Sequence, residues 1–250
     1  MRYEAIYLAP HLDDVALSCG GQVYQLTSAG YSVLIVTITA GDPAAVSLSS
    51  FAQSLHDRWR LPPEAVVAGR RMEDAAACAV LGADYQHWDG LDAIYRRHPH
   101  TGEFFYPSGE AIFGPLSAAE KELVETMAHR LAQLPPAGRV VAPLTVGGHV
   151  DHQLTRRAAE RCFGDSLLYY EDYPYAQMPG ALETVVKGEG SWRPVVVPLT
   201  TAALQAKYQA IACYQSQLST FFRDAADLEA QVGGYAQQVG GERLWQRRPH

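Results

Sequence analysis

The stretch Ile6-Tyr7-Leu8-Ala9-Pro10-His11-Leu12-Asp13-Asp14 decides the fold, because a short apolar run passes directly into a polar turn. The run from Tyr3 to Ala9 has no polar alternation, which is typical of a strand buried on both faces of a parallel sheet. A helix is predicted from Asp14 to about Ala29, with Gly30 in the position that commonly follows a helix. Val33 to Thr39 has the composition of a second buried strand, so the chain begins with a predicted βαβ unit.

The polar turn contains one imidazole and two carboxylates within four positions, at His11, Asp13 and Asp14. In open α/β sheets, ligands bind outside the carboxyl ends of the strands, which is where this turn lies. A turn with only a structural role needs Gly, Asn or one capping Asp, and has no need of a histidine beside two acids. The three residues are therefore candidates for a functional site.

Strands and helices continue to alternate along the chain. Further helices are predicted over 64–81, 123–134, 153–162 and 200–218, and further strands over 83–88, 139–144, 167–170 and 195–197. Ser117 and Glu120 predict a capping box, in which Ser117 bonds the N3 amide and Glu120 reaches back. The stretches 43–63 and 96–115 are predicted to be irregular, the second as a covering loop, and the tail after 218 gives no clear prediction. We expect one α/β domain over residues 1–250, with a Rossmann-like, mainly parallel sheet and helices on both faces.

Composition excludes several functional classes. The formal net charge of −7 and the absence of a basic run argue against a nucleic-acid partner. No apolar run has the length of a membrane span, and the N-terminus reads as a strand rather than a signal peptide. The four cysteines contain no C-x-x-C pair, which favours reduced thiols and argues against cysteine-ligated zinc. We therefore expect a cytoplasmic protein.

A second polar motif, Gly147-Gly148-His149-Val150-Asp151-His152, also follows a predicted buried strand and begins a helix. The carboxyl ends of parallel strands share one edge of a sheet, so His11 and Asp14 can meet His149 and His152 there. Histidine and carboxylate ligands with one position left for water are typical of catalytic zinc. A lone histidine is usually a core or surface residue and a lone aspartate often caps a helix, but two such clusters at equivalent strand ends favour a metal site.

These motifs resemble the PIG-L/LmbE family of zinc-dependent N-deacetylases. The resemblance rests first on Pro10-His11-Leu12-Asp13-Asp14 with Gly20-Gly21, and on His149-Val150-Asp151-His152. Three further matches extend it over most of the chain: Thr39-Ala40-Gly41-Asp42, Arg70 or Arg71 with Glu73 leading to Leu81-Gly82, and Lys207 with Tyr214-Gln215-Ser216-Gln217. The resemblance implies removal of an acetyl or other acyl group from the nitrogen of a sugar or glycoside-like small molecule.

The resemblance also implies roles for individual residues. His11, Asp14 and His152 would be the zinc ligands, although iron(II) can occupy such a site too. Asp13 would be the general base that takes a proton from the metal-bound water. His149 would stabilise the developing oxyanion, if protonated, and Asp151 would orient a neighbouring histidine.

The chain departs from the family pattern at three positions, and two of them carry no chemistry. Leu12 stands where the family usually has Pro, and Val15 where it often has Glu. Gly147 stands where some members have a tyrosine that serves as acid and oxyanion donor. The proton for the leaving amine could therefore come from Asp13, from His149 or from a tyrosine on a loop.

Residues that contact the substrate are less clearly indicated. Asp42, Arg71 and Asp92 are near positions where related enzymes hold sugar or inositol hydroxyls, and they are the predicted substrate contacts. Glu171-Asp172-Tyr173-Pro174 follows another strand and could reach the rim, whereas His98 and His100 are predicted to be surface residues. The expected partner is a small N-acyl sugar-like molecule, and a homo-oligomer is compatible with the sequence.

Two other functions compete with deacetylation. One keeps the metal and hydrolyses another amide or an ester. The other is a non-catalytic Rossmann-like module that binds a sugar nucleotide. Only Gly20-Gly21 supports this module, because the G-x-G-x-x-G pattern after the first strand is absent.

Overall fold

Seven strands form one sheet in the computed structural model, which describes residues 2–43, 47–59, 65–188 and 192–248. In chain order the strands are β1 (Tyr3–Ala9), β2 (Val33–Thr37), β3 (Asp84–His87), β4 (Ala137–Pro143), β5 (Leu168–Tyr170), β6 (Trp192–Val197) and β7 (Glu242–Arg247). Their order across the sheet is β3-β2-β1-β4-β5-β7-β6. The first five are mutually parallel, whereas β7 runs antiparallel to both β5 and β6. The predicted Rossmann-like α/β class is confirmed.

Helices surround this sheet. In chain order they are α1 (Asp14–Ser28), α2 (Ser50–Trp59), α3 (Val66–Leu81), α4 (Gly109–Ile112), α5 (Lys121–Leu131), α6 (Val150–Phe163), α7 (Ala181–Gly188), α8 (Thr201–Ala212), α9 (Gln215–Phe221) and α10 (Ala225–Val239). None of the described helices is long and apolar enough to cross a membrane.

The central strands are buried on both faces, which explains their unbroken apolar sequence. Ile6 and Leu8 of β1 pack into one core with residues of α5 and α6. Ala5 and Tyr7, which point to the other face, pack into a second core with residues of α1, α3 and α8. A strand with a core on each side has no solvent face, so polar alternation would bury unpaired polar groups.

Two predicted helix ends are confirmed by backbone geometry. Gly30 follows α1 with φ 87°, and Gly82 follows α3 with φ 68°. Both angles lie in the left-handed region, which glycine enters at little cost.

The stretch 43–63 is not irregular throughout, because it contains α2. His56 is buried there and bonds the Tyr95 hydroxyl at 2.5 Å, which fixes the helix against the segment that follows β3. This contact joins residues 39 positions apart, so local turn signals did not reveal the helix. The predicted helix start at Glu64, together with Pro63, lies outside the described residues. The stretch 96–115 is mainly irregular, as predicted, and includes the short α4.

The predicted capping box is wrong in its bonding. The Ser117 hydroxyl accepts from the Ala119 amide at 3.3 Å, and caps a 3-10 turn that precedes α5. Glu120 does not reach back to Ser117, because its buried carboxylate accepts from Arg96 at 2.5 Å and from the Tyr106 hydroxyl. A buried guanidinium is a stronger partner than a backbone amide, so the tertiary contact replaces the local one.

The predicted helix over 200–218 is two helices, α8 and α9, with a break at Cys213 and Tyr214. The Tyr214 hydroxyl donates to Asp74 of α3 at 2.6 Å, and this buried contact redirects the chain. The tail that gave no clear prediction forms α10 and β7. The strand β7 completes the sheet by pairing with both β5 and β6.

The order of the strands locates the functional edge. The chain moves outward from β1 through β2 to β3, then returns to place β4 on the other side of β1. The strand order reverses between β1 and β4, and ligands of open α/β sheets bind at such a point, beyond the carboxyl ends of the strands.

Candidate active site

The two polar motifs meet where the strand order reverses. His11, Asp13 and Asp14 follow β1, while His149, Asp151 and His152 follow the adjacent β4. The ring of His11 lies 4.7 Å from that of His149 and 5.3 Å from that of His152, measured between centroids. The sheet therefore brings together six predicted residues that are about 140 positions apart.

The backbone at the start of α1 turns the two aspartates in different directions. Asp13 has φ 126°, a conformation that residues other than glycine rarely adopt. It occupies the N-cap position without capping the helix through its side chain. Its carboxylate lies 3.8 Å from Arg70, whereas that of Asp14 faces the histidines.

The Asp14 carboxylate lies between two imidazoles. One oxygen is 3.4 Å from Nδ1 of His11, and the other is 3.5 Å from Nε2 of His152. The His11 amide also donates to this carboxylate at 2.7 Å, which fixes its orientation. Two ring nitrogens, one from each strand end, thus lie within 3.5 Å of the same carboxylate.

The far nitrogens of both rings are held by buried carboxylates. His11 Nε2 lies 2.9 Å from Asp151, and His152 Nδ1 lies 2.6 Å from Asp172. Asp172 was not singled out as a ligand partner in the sequence, although Glu171-Asp172-Tyr173-Pro174 was expected near the rim. A carboxylate behind the distal nitrogen orients metal-binding histidines and raises their basicity. The chemistry of these donors fits a divalent metal ion.

His149 completes a group of three histidines, each of which offers a nitrogen within 4.8 Å of the others. Its Nδ1 accepts from the Asp151 amide at 3.2 Å, so only Nε2 faces outward. Burial and the neighbouring His11 ring hold the pKa of His149 well below its ordinary value. The ring is therefore neutral, and Nε2 carries a proton that it can donate.

Asp151 is completely buried and connects the two motifs. Besides His11, it accepts from the Ala93 amide at 2.9 Å and from the guanidinium of Arg96. Burial by itself would raise its pKa, but Arg96 and His11 hold the pKa well below the ordinary range. Asp151 therefore remains ionised behind His11. Arg96 was missed in the sequence because it lies in a stretch without periodicity.

Asp13 has a different electrostatic environment. Burial and the negative charge of Asp14 raise its pKa to about 7, although Arg70 opposes the shift. The Asp13 carboxylate accepts no hydrogen bond from the described residues, which distinguishes it from the carboxylates of Asp14, Asp151 and Asp172. A carboxylate in this state can take a proton near neutral pH.

The predicted substrate contacts divide into two groups. Asp92 lines the cavity, with an oxygen 4.0 Å from His11 Nε2. Arg71 pairs with Asp42 at 3.2 Å, and neither of them lines the cavity. The neighbouring Arg70 lines the cavity instead and stacks on Trp59, with its guanidinium carbon 4.8 Å from the ring centroid. His98 and His100 lie in the exposed loop as predicted, away from the cavity.

The cavity has a volume of about 130 Å³ and is lined by both charged and apolar side chains. The apolar and aromatic lining residues are Leu17, Leu55, Trp59, Ile94, Ile112, Tyr173, Pro174, Tyr175 and Phe221. Phe113 lies at the rim, where it meets the ring of His149 edge-on at 5.4 Å and that of Tyr175 at 5.7 Å. Tyr173 and Pro174 belong to the stretch that was expected near the rim, whereas no local pattern in the sequence indicated Trp59, Phe113, Tyr175 or Phe221.

Gly20 and Gly21 do not form a phosphate-binding turn. They lie inside α1, and a Cβ at Gly21 would come within 2.6 Å of Leu199. A Cβ at Gly20 would come within 3.3 Å of Lys207. The two glycines therefore allow α1 to pack closely against the C-terminal part of the chain, which removes the one observation that favoured a nucleotide module.

Comparisons with known proteins agree with this geometry. Residues 6–163 match the family described as PIG-L: GlcNAc-PI de-N-acetylase. The chain is 28% identical to a 2′-N-acetylparomamine deacetylase of Streptomyces fradiae over 224 residues, covering 86% of this chain and 74% of the relative. It is 25% identical to the enzyme of the same name from Niallia circulans over 267 residues, covering 96% of this chain and 89% of that relative.

A solved structure, the zinc-inhibited form of a teicoplanin deacetylase, superposes on this chain with a TM-score of 0.83. The two chains are 29% identical, and the match covers 98% of this chain and 97% of the other. The sequence match extends over more than half of the chain and includes both polar motifs. The chain therefore belongs to the PIG-L family of de-N-acetylases.

Proposed function

We propose that this protein is a metal-dependent N-deacetylase that removes the acetyl group from an N-acetylated amino sugar or glycoside. The observation that carries the proposal is that the carboxylates of Asp13 and Asp14 have different neighbours in the same cavity. The Asp14 carboxylate lies between two imidazoles. The Asp13 carboxylate accepts no hydrogen bond from the described residues and lies 3.8 Å from Arg70. Hydrolysis of an amide on a metal needs both a ligand and a separate base.

His11, Asp14 and His152 would hold the metal. Zinc is the proposed ion, because two imidazoles and one carboxylate with an open position are typical of catalytic zinc. Iron(II) accepts the same donors, and the two ions are distinguished by reconstituting the metal-free protein with each. When bound, such an ion polarises the amide carbonyl and brings the pKa of its water to about 7.

Asp13 would act first as base and then as acid. It would take a proton from the attacking water and return it to the nitrogen as the C–N bond breaks, so acetic acid and a free amine form and leave at neutral pH as acetate and an ammonium ion. His149 would donate from Nε2 to the carbonyl oxygen as a neutral ring, since its pKa is lowered and Nδ1 already accepts a hydrogen bond. Asp151 would keep His11 in its orientation.

The substrate would enter between polar and apolar surfaces. Arg70 and Asp92 are the proposed contacts for sugar hydroxyls, since both line the cavity beside Asp13 and His11. The relatives named for 2′-N-acetylparomamine and teicoplanin support a substrate with an acetylated or acylated amino sugar. Arg71 and Asp42 bond each other outside the cavity, so they contribute at most to its rim.

The proposal also covers the organisation of the whole chain. Residues 1–250 would act as one catalytic domain, because Gln217 and Phe221 of the C-terminal α9 line the same cavity as His11. All four cysteines are free, which supports action in a reducing compartment such as the cytoplasm.

The experiment is a deacetylation assay on metal-defined protein. Metal-free protein, protein with one equivalent of zinc and protein with one equivalent of iron(II) are incubated with 2′-N-acetylparomamine and with N-acetylglucosamine glycosides, and the freed amine is measured. We expect release only with metal, and none from the Asp13→Asn variant although that variant still binds one metal ion. Amine release by Asp13→Asn at the wild-type rate would contradict the mechanism.

A panel of esters and of other amides serves as the control for reaction class. If the protein hydrolyses one of these compounds faster than every N-acetyl sugar, deacetylation is rejected as its function. The alternative function, metal-dependent hydrolysis of another amide or an ester, is then favoured.

A further inference from the structure

We propose that Tyr175 is a second hydrogen-bond donor to the acetamide oxygen, acting beside His149 as that oxygen gains negative charge. The inference rests on the proposed deacetylation and adds a residue that neither polar motif contains. A preorganised pair of donors is the usual arrangement around an oxyanion, and His149 offers only one N–H to the cavity.

The position of Tyr175 brings its ring into the cavity. It begins a 3-10 turn (Tyr175–Gln177) shortly after β5 and lines the same cavity as Asp13, Asp14 and His149. Its ring meets that of His152 edge-on at 6.1 Å between centroids, and that of Phe113 at 5.7 Å. Aromatic contacts on two sides hold the phenol in one orientation, which is the preorganisation that such a donor needs.

The hydroxyl of Tyr175 is available for a substrate. Within the described residues it makes no hydrogen bond, in contrast to Tyr170, Tyr214 and Tyr235, whose hydroxyls all have protein acceptors. A tyrosine hydroxyl is protonated at neutral pH, so it can donate to an acceptor on the substrate.

Gly147 makes this position accessible. A Cβ at residue 147 would lie 2.7 Å from Cγ of Tyr175 and 2.9 Å from its Cβ, distances at which one of the two residues must move. Gly147 also has φ 87°, which a side chain would oppose. Because Gly147 has no side chain, the ring of Tyr175 can lie against the turn that follows β4.

The test compares Tyr175→Phe with wild-type protein, both loaded with zinc. Loss of one oxyanion donor lowers kcat by about 10²–10³-fold in well-studied enzymes, and we expect a fall in that range with KM changed less than about threefold. Because the ring remains, zinc affinity measured by chelator competition should be unchanged. A methylphosphonamide analogue of N-acetylglucosamine, whose tetrahedral oxyanion resembles the reacting centre, should bind Tyr175→Phe more weakly, while the free amine product binds both proteins equally.

Tyr3→Phe is the matched control. Tyr3 begins β1 at the opposite end of the strand from the cavity, and its hydroxyl donates to Asp84 at 2.9 Å. Removing that oxygen should leave kcat, KM and zinc affinity unchanged.

Three outcomes distinguish the donor role of Tyr175 from the proposed deacetylation. A kcat for Tyr175→Phe within threefold of wild type overturns the role of Tyr175 but leaves deacetylation standing. A parallel fall in zinc affinity also overturns it, because Tyr175 would then act by supporting His152. If wild-type protein releases no amine from any N-acetylated compound, the analogue and product binding comparison still tests the donor, and equal binding of the analogue to both proteins rejects it.

Discussion

At the scale of single residues, the most informative position is Asp13, where the proposed general base has a strained backbone conformation. A non-glycine residue in a sparsely populated backbone region costs about 1–3 kcal/mol and persists where the surrounding structure enforces it. At Asp13, with φ 126°, the turn directs Asp14 toward His11 and His152 while Asp13 faces Arg70. Strain at this turn thus separates the two carboxylates.

Replacing Asp13 by glycine should therefore give a more stable protein than replacing it by asparagine, and both changes should remove the activity. Relief of the strained φ outweighs the greater chain entropy of glycine, so we expect Asp13→Gly to exceed Asp13→Asn in free energy of unfolding by about 1 kcal/mol. Urea denaturation of the metal-free proteins measures the difference, and both variants should release no amine. Asn is the matched control because it loses the same charge but keeps the Cβ. Equal stability of the two variants would show that the turn stores no strain.

At the scale of elements, the segment between β3 and α5 is fastened to the site by buried charges. Arg96 donates to Glu120 at 2.5 Å, to the Leu91 carbonyl at 3.0 Å and to Asp151, which in turn holds His11. Tyr106 adds a hydrogen bond to Glu120 from the same segment. A mainly irregular segment is thus held in place by one guanidinium and two carboxylates, all of them buried.

Removing this cation should be costly. In Arg96→Met two buried carboxylates lose their shared partner, and breaking a buried ion pair in this way costs about 3–5 kcal/mol. Arg130→Met is the matched control, since the side chains of Arg130 and Asp89 are 47% and 84% exposed and such a pair contributes about 0–1 kcal/mol. The free energy of unfolding is measured for both by urea denaturation. Similar small losses in the two variants would mean that the segment is held by packing and not by charge.

At the scale of the whole molecule, the C-terminal strand supports the N-terminal motif. Glu242 at the start of β7 accepts from the amides of Gly21 and Gln22 at 2.9 and 2.8 Å, and from Nζ of Lys207 at 2.7 Å. These contacts fasten α1, which carries Asp14 in its first turn, to α8 and β7. The last strand of the chain, β7, therefore helps to position the first of the two polar motifs.

Neutralising this carboxylate should destabilise the protein. Glu242→Gln keeps the shape but leaves Lys207 as an uncompensated cation that is 94% buried, since only 6% of its side chain is exposed, at a cost of about 3–5 kcal/mol. Glu229→Gln, an exposed position in the neighbouring α10, should change the free energy of unfolding by no more than about 0.5 kcal/mol. Thermal and urea denaturation of both variants measure the effect. Equal stability of the two variants would contradict a supporting role for Glu242.

The sequence by itself determined the parallel part of the sheet, the class of fold and the six residues of the two motifs, but not the strand β7. These features follow from local patterns: apolar runs for strands buried on both faces, glycines at helix ends, and polar clusters after two strands. The convergence of the two clusters then follows from a general rule, since parallel strands end at a common edge. A resemblance to known deacetylases could be stated from the same residues.

The tertiary structure alone decided which side chains surround that centre. Arg70 lines the cavity and Arg71 does not, because neighbours on a helix point about 100° apart and only the packing of α3 selects the inward face. Asp172 bonds His152 across 20 positions of the chain, and Arg96 bonds Asp151 across 55. Tyr175 packs against Gly147, which follows a different strand. Such contacts depend on how elements pack and leave no periodic signal, so a local pattern predicts the motif but not the residues that hold it in place.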